Sequence, residues 1–131
     1  MKIASGGELS RFLLALKVCL THDQKGVSLV FDEIDRGIGG ATADAVGRRL
    51  LKLAEKDAQV LVVTHSPQVA ALAERHFVVS KGIEDGKTIS RVKRIKGRDC
   101  IEEIARMISG DRITDEAREA SRVLISGKSK T

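Results

Sequence analysis

The sequence predicts an α/β fold, a mostly parallel sheet flanked by helices, on three observations. Short apolar runs alternate with longer stretches of helical spacing: VSLVF (27–31), QVLVVT (59–64) and HFVVS (76–80) are separated by segments with amphipathic periodicity. Strands and helices in that order build parallel strands joined by right-handed crossovers. The first two runs also stop abruptly, at Asp32-Glu33 and at His65, as buried parallel strands do on reaching a sheet edge. Finally, the chain has 131 residues, 42% of them hydrophobic, which suits one ordinary domain with its own core.

Taken in order, residues 8–22 carry apolar side chains at Leu9, Phe12, Leu13, Leu16, Cys19 and Leu20, one face of a helix. Ser5 and Glu8, three positions apart, fit a capping box at its start. VSLVF is the first strand, RGIGG (36–40) a loop, and residues 41–57 return to helical spacing through Ala43, Val46, Leu50 and Leu53. After the second strand, Ser66-Pro67 starts a helix with Pro in its first position, expected to run to about Arg75. HFVVS is a third strand, and Glu84-Asp85-Gly86 a hairpin turn into the basic strand TISRVKRI (88–95). Two helices finish the chain. One begins near Asp99, with Ile101, Ile104, Ala105 and Ile108 on one face and Gly110 as its stop; the other begins after Thr114 and ends before Gly127.

Composition narrows the function. With three Phe and neither Tyr nor Trp, the core is aliphatic, and recognition of single strands by stacking bases on aromatic platforms is disfavoured. Cys19 and Cys100 belong to no paired motif and read as reduced thiols rather than a disulfide or metal site. The longest apolar runs fall far short of a membrane span, and no signal-peptide pattern follows Met1, so a soluble cytoplasmic protein is expected. The net charge is +5, and residues 81–98 alone carry seven basic against two acidic side chains.

In a parallel sheet the carboxyl ends of the strands share the edge where ligands bind, so Asp32, Glu33 and His65 are expected to be neighbours. Successive strand residues point to opposite faces, giving Asp32 and Glu33 different tasks. A carboxylate at a strand tip suits a Mg²⁺ shell; one aimed elsewhere can orient or deprotonate an attacking water. Acids also follow buried strands simply because the chain has reached solvent, and His65 can serve merely as a polar strand end. The Ser-Gly-Gly-Glu turn (5–8) is either a plain helix cap or a phosphate site that uses free N–H groups and the helix dipole.

Their order is more specific than any one of them. The stretches IASGGELSRFLLALK (3–17), LVFDEIDRGIGGATADAVGRRL (29–50), VVTHSPQVAALAERHFVVSK (62–81), EEIARMISG (102–110) and ITDEA (113–117) resemble the C-terminal lobe of an ABC-type ATPase head. The similarity is closest to the RecN family, bacterial SMC-like DNA-repair ATPases. The resemblance implies a three-layer P-loop NTPase-like lobe lacking the P-loop half, as a single domain over 1–131. Within it lie a signature motif at 4–11, a Walker B strand at 29–33, a D-loop at 35–40 and a switch histidine at 65. It implies ATP and Mg²⁺ as cofactors, with Asp32 serving the metal, Glu33 positioning or activating water and His65 sensing the γ-phosphate. Ser5, Gly6 and Gly7, with Glu8 in the same motif, would reach the γ-phosphate held by the other subunit of an ATP-dependent head dimer, and Asp35 would join that interface. The implied setting is recombinational repair of DNA double-strand breaks on the nucleoid, with no membrane and with DNA contacted through the parent protein.

The sequence departs from that pattern in one respect. It has no G-x-x-x-x-G-K-[ST] run to cradle the β- and γ-phosphates. Gly86-Lys87 and Gly127-Lys128 lack the upstream Gly, and no coiled coil is present. The chain is therefore expected to be a fragment that needs its parent's N-terminal lobe and coiled coil, Met1 being a start supplied for expression, and to be inactive alone. Two alternatives stay open. One is a metal-dependent nuclease or phosphotransferase with Glu8, Asp32, Glu33 and Asp35 around Mg²⁺, though Asp32 and Asp35 are three apart rather than on one strand face. The other is a DNA-binding module built on 87–98, a stretch that also reads as an edge strand guarded by Lys and Arg. A Ser-His-Asp hydrolase fits poorly, because Ser66 adjoins His65 and no G-x-S-x-G occurs.

Overall fold

The computed structural model describes residues 26–55 and 58–127, together with Ala15. The predicted helix at 8–22 lies outside them apart from Ala15, which is helical. The described elements are β1 (Ser28–Asp32), α1 (Gly40–Ala54), β2 (Gln59–Val63), α2 (Pro67–Ala71), β3 (His76–Glu84), β4 (Lys87–Ile95), α3 (Arg98–Ser109) and α4 (Asp115–Ser126). β1 and β2 pair in parallel, in register from Ser28↔Gln59 to Asp32↔Val63.

α1 covers one face of this pair. Phe31 from β1 packs with Ala43, Val46, Leu50 and Leu53 of α1 and Val69 of α2, with Leu29, Val60 and Val62 at the margin. The α1 spacing places these side chains on one stripe. Where α1 meets α2 the approach is close: a Cβ on Gly47 would lie 2.7 Å from Leu72 Cδ1 and 3.3 Å from Val69 Cα. Glycine is needed there for room, despite its cost inside a helix. The opposite face of the pair presents Val30, Leu61 and Val63 to solvent.

β3 forms where the sequence placed a third strand, but it does not join the parallel pair. It runs antiparallel to β4 in a second two-stranded sheet. The predicted turn explains this. Asp85 and Gly86 have φ of +50° and +74°, the left-handed pair that a two-residue hairpin loop requires and that Asp-Gly favours. Pairing with the strand just beyond that loop needs little loop-closure entropy. α2 also ends earlier than expected. The amides of Leu72 and Ala73 bond back three residues, to Val69 O at 3.2 Å and Ala70 O at 3.1 Å, tightening the last turn before the chain leaves for β3.

The final helices follow the sequence closely. Gly110 ends α3 with φ +77°, and the Thr114 hydroxyl caps α4 by accepting from Ala117 N–H at 3.2 Å. Ile104 and Ala105 are fully buried, whereas Ile108 is 40% exposed. Buried Ser121 of α4 donates to Ile101 O of α3 at 2.9 Å, and Arg118 of α4 grips Glu102 of α3 through both carboxylate oxygens. α2 packs against both α3 and α4. Among the described residues no helix is long and apolar enough to cross a membrane.

Cys100 sits buried at the start of α3 as a free thiol. Burial first, and the nearby Asp99 charge second, push its thiol up. A group whose proton is held more tightly folded than unfolded contributes fully below its unfolded value, about 8.5 for Cys. That contribution is lost as pH rises through the raised folded value. Cys100→Ala is therefore expected to flatten the alkaline fall in stability, read as urea midpoints from neutral pH to pH about 10; an unchanged slope would show that Cys100 does not titrate with unfolding.

Candidate functional site

Because β1 and β2 run the same way, both deliver their last residues to one edge. Asp32 ends β1 with its side chain exposed. Glu33 then leaves strand geometry: its φ is +49°, the left-handed region that costs a non-glycine residue energy. Its amide still donates to Val63 O at 2.9 Å, so the backbone stays tied to β2 while the side chain turns. Strand alternation therefore does not set where Glu33 points. Its carboxylate crosses to the end of β2, where Oε1 lies 3.0 Å from His65 Nε2. Oε2 lies 3.8 Å from Arg36 Nη1. The His65 and Arg36 side chains are 85% exposed, so water screens both contacts. They hold the carboxylate's orientation more than they stabilise the fold.

Asp35 faces the other way. It is 6% exposed, and its Oδ2 accepts the Thr64 hydroxyl proton. The same Thr64 oxygen accepts Ser66 N–H at 2.9 Å, and Ser66 in turn caps α2 by accepting from Val69 N–H at 3.4 Å. Among the described residues no buried side-chain nitrogen or oxygen is left without a partner, so this inward carboxylate is fully accommodated. Two backbone bonds shape the loop outside it, Arg36 N–H to Glu33 O and Ile38 N–H to Asp35 O, each 3.1 Å.

The edge opens on a cleft of about 640 Å³ lined by Glu33, Asp35, Arg36, the 37–40 loop and residues 65–68. α1 begins on its rim. The N-cap, Gly39, offers no side-chain cap and the first turn holds no acid, so nothing from that turn offsets the positive end of the helix dipole.

Of the predicted site residues, the structure gathers Asp32, Glu33, Asp35 and His65 at this edge, with Glu33 and His65 in direct contact. Ser5, Gly6, Gly7 and Glu8 lie outside the described residues. The sequence reading missed Arg36 and Thr64. Thr64 leaves only a faint trace: the register Asp32↔Val63 brings the residues just beyond, including Thr64, out of the sheet beside the acidic loop. Among the described residues no three His, Cys, Asp or Glu side chains group as a metal site; Glu33 turns to His65 and Asp35 to Thr64.

The basic segment does not form a single cationic face. β4 pairs Lys93 with Val78 and Arg94 with Phe77, so these neighbours project from opposite sides of the hairpin. Arg91 is paired with Glu84, and Lys93 lines a second cleft with Asp99, Glu102 and Glu103. The Arg94 side carries exposed Phe77, Val79, Ile83 and Val92.

No protein-family model matches the chain. Curated proteins do. The chain is 50% identical over 125 residues, 95% of its length, to the DNA repair protein RecN of Deinococcus radiodurans. It is 48% identical over 129 residues, 98% of its length, to that of Mycobacterium leprae, and 41% identical over 124 residues to that of Bacillus subtilis.

The chain is homologous to part of RecN.

This RecN-homologous segment spans about a fifth of the length of the curated relatives it matches, 21–22% in these three. Its fold has a solved counterpart. A chain from work on ATP-driven dimerization and DNA-stimulated activation of SMC ATPases superposes with a TM-score of 0.55, over 83% of this chain and 65% of that one, at 21% identity. The RecN-homologous segment thus has an α/β fold similar to that chain's.

Proposed function

We propose that the chain is the C-terminal lobe of a RecN-type ATPase head, one domain over 1–131 that contributes half of a composite ATP site. The observation that carries this reading is the contact of Glu33 with His65 at the carboxyl edge of the parallel pair, beside exposed Asp32. Glu33 orients and deprotonates the attacking water, and His65 contacts the γ-phosphate. The residues present fit Mg²⁺: Asp32 is an exposed hard-oxygen ligand, and Mg²⁺ is commonly held by one or two carboxylates with phosphates and waters completing the shell. When bound, that ion neutralises charge on the phosphate oxygens. The Ser5-Gly6-Gly7-Glu8 sequence serves as the signature motif toward ATP bound to a second head, and the loop from Asp35 to Gly40 serves that dimer contact. Through its parent, the segment serves repair of DNA double-strand breaks.

The chain alone is expected to bind ATP poorly and hydrolyse none above background, because it has no P-loop sequence. Turnover and nucleotide affinity measured with Mg²⁺ test this; robust Glu33-dependent hydrolysis by the isolated chain would overturn it. Action across the dimer is tested by mixing Ser5→Arg heads with heads altered in the P-loop lysine. One of the two composite sites in a mixed dimer is then intact. Partial recovery of hydrolysis supports the shared site, and normal hydrolysis by monomeric Ser5→Arg protein refutes the signature assignment.

DNA contact by the basic hairpin is not favoured, since its cations divide between two faces and Arg91 is already paired. Replacing Arg91, Lys93 and Arg94 with Ala in the parent protein is expected to leave the log–log salt slope of duplex DNA binding unchanged. A slope reduced by about 0.9 for every phosphate no longer neutralised would instead show that the hairpin binds DNA.

A further inference from the structure

We infer that Thr64 is a positioning residue for hydrolysis, the link that holds His65 at a fixed place relative to Glu33. The inference rests on the ATPase reading above and assigns a role to a side chain outside it. Thr64 immediately precedes His65, and its hydroxyl is used twice: the proton goes to Asp35 Oδ2, and a lone pair takes Ser66 N–H at 2.9 Å. His65 therefore sits between two anchored neighbours while its own side chain remains 85% exposed.

The other end of the link is equally fixed. Asp35 is buried, two residues from Glu33, and the Arg36 N–H to Glu33 O bond at 3.1 Å closes the turn between them. On the backbone side, Glu33 N–H to Val63 O at 2.9 Å ties the same two strand ends together. Glu33 and His65 thus belong to a small ring, closed once through the sheet ladder and once through the Asp35–Thr64 bond. Without the second closure, the ladder would still hold Glu33 against Val63, but the 64–66 backbone and the acidic loop could separate. Displacements of about 1 Å in catalytic groups can cost up to about a hundredfold in rate.

The test uses Thr64→Val, which keeps the shape and removes the hydroxyl, and Thr64→Ser, which restores it. In the isolated chain, amide hydrogen exchange at Ser66 should accelerate at least about tenfold in Thr64→Val, with the α1 and β2 core amides unchanged and Thr64→Ser close to the parent. In the complete head, Thr64→Val should lower kcat about ten- to a hundredfold while KM for ATP stays within about twofold, and Thr64→Ser should recover most of the loss. Wild-type kcat in Thr64→Val, an equal loss in Thr64→Ser, or unchanged Ser66 exchange would each overturn the inference. Glu33→Gln in the same assay separates the two levels. If Glu33→Gln hydrolyses ATP normally, the catalytic role given to the Glu33–His65 edge fails; if Glu33→Gln is inactive and Thr64→Val is not impaired, only the role of Thr64 fails.

Discussion

Glu33→Gln, placed in a complete head with its P-loop, is expected to bind ATP and Mg²⁺ almost normally, lose hydrolysis and accumulate ATP-bound dimers. The substitution keeps the length and hydrogen-bonding reach of the side chain, so the amide can still meet His65 Nε2, now 3.0 Å from Oε1. What disappears is the negative charge and the ability to take a proton from water. General-base catalysis of this kind contributes on the order of 10²- to 10⁴-fold, and the loss should fall in kcat. Nucleotide binding is left to the P-loop and Asp32, which the substitution does not touch. Single-turnover hydrolysis, ATP affinity and dimer mass measured together check this. A drop in affinity matching the drop in rate would mean that Glu33 serves binding, and undiminished turnover would remove it from the chemistry.

The largest expected effect on stability is at Ile104. It is 1% exposed on α3, the helix that packs against both α2 and α4. Ile104→Ala should cost about 2–5 kcal/mol, the transfer energy of the deleted carbons plus the cavity left where relaxation is incomplete. Against a total of about 5–15 kcal/mol for an ordinary domain, that is a large share. Ile108→Ala on the same helix is the control, since Ile108 is 40% exposed and should lose under about 1 kcal/mol. Urea unfolding followed by circular dichroism distinguishes them. Equal midpoints for the two variants would mean that α3 is not part of the cooperative core.

What was legible in the sequence was local chemistry. Asp85-Gly86 gave the hairpin, Gly110 the end of α3, Thr114 the start of α4 and Ser66-Pro67 the start of α2, because each needs only its own side chain and backbone. The clustering at the strand ends was legible too, since parallel strands that stop in polar residues must stop at the same edge. Three features were not. The turn announced that HFVVS pairs with β4, but nothing in its residues marks that it stays out of the parallel pair, which the helical rhythm suggests it would join. The Asp35–Thr64 bond joins residues from different strand ends and depends on a carboxylate turning inward, which an acid in a solvent-facing loop gives no reason to expect. The direction of Glu33 was hidden for a related reason: the left-handed backbone breaks the alternation from which a direction would be read.

That backbone also shapes which sequences the position accepts. A φ of +49° suits Gly best, Asn and Asp next, and β-branched residues worst. A library selected only for folding, with no nucleotide present, would therefore deplete valine and isoleucine at position 33 and keep asparagine and glycine. Selection for turnover would then discard those survivors as well. On the proposed role, position 33 is filtered twice by unrelated criteria, and glutamate is a compromise that the peptide geometry tolerates and the proposed chemistry requires.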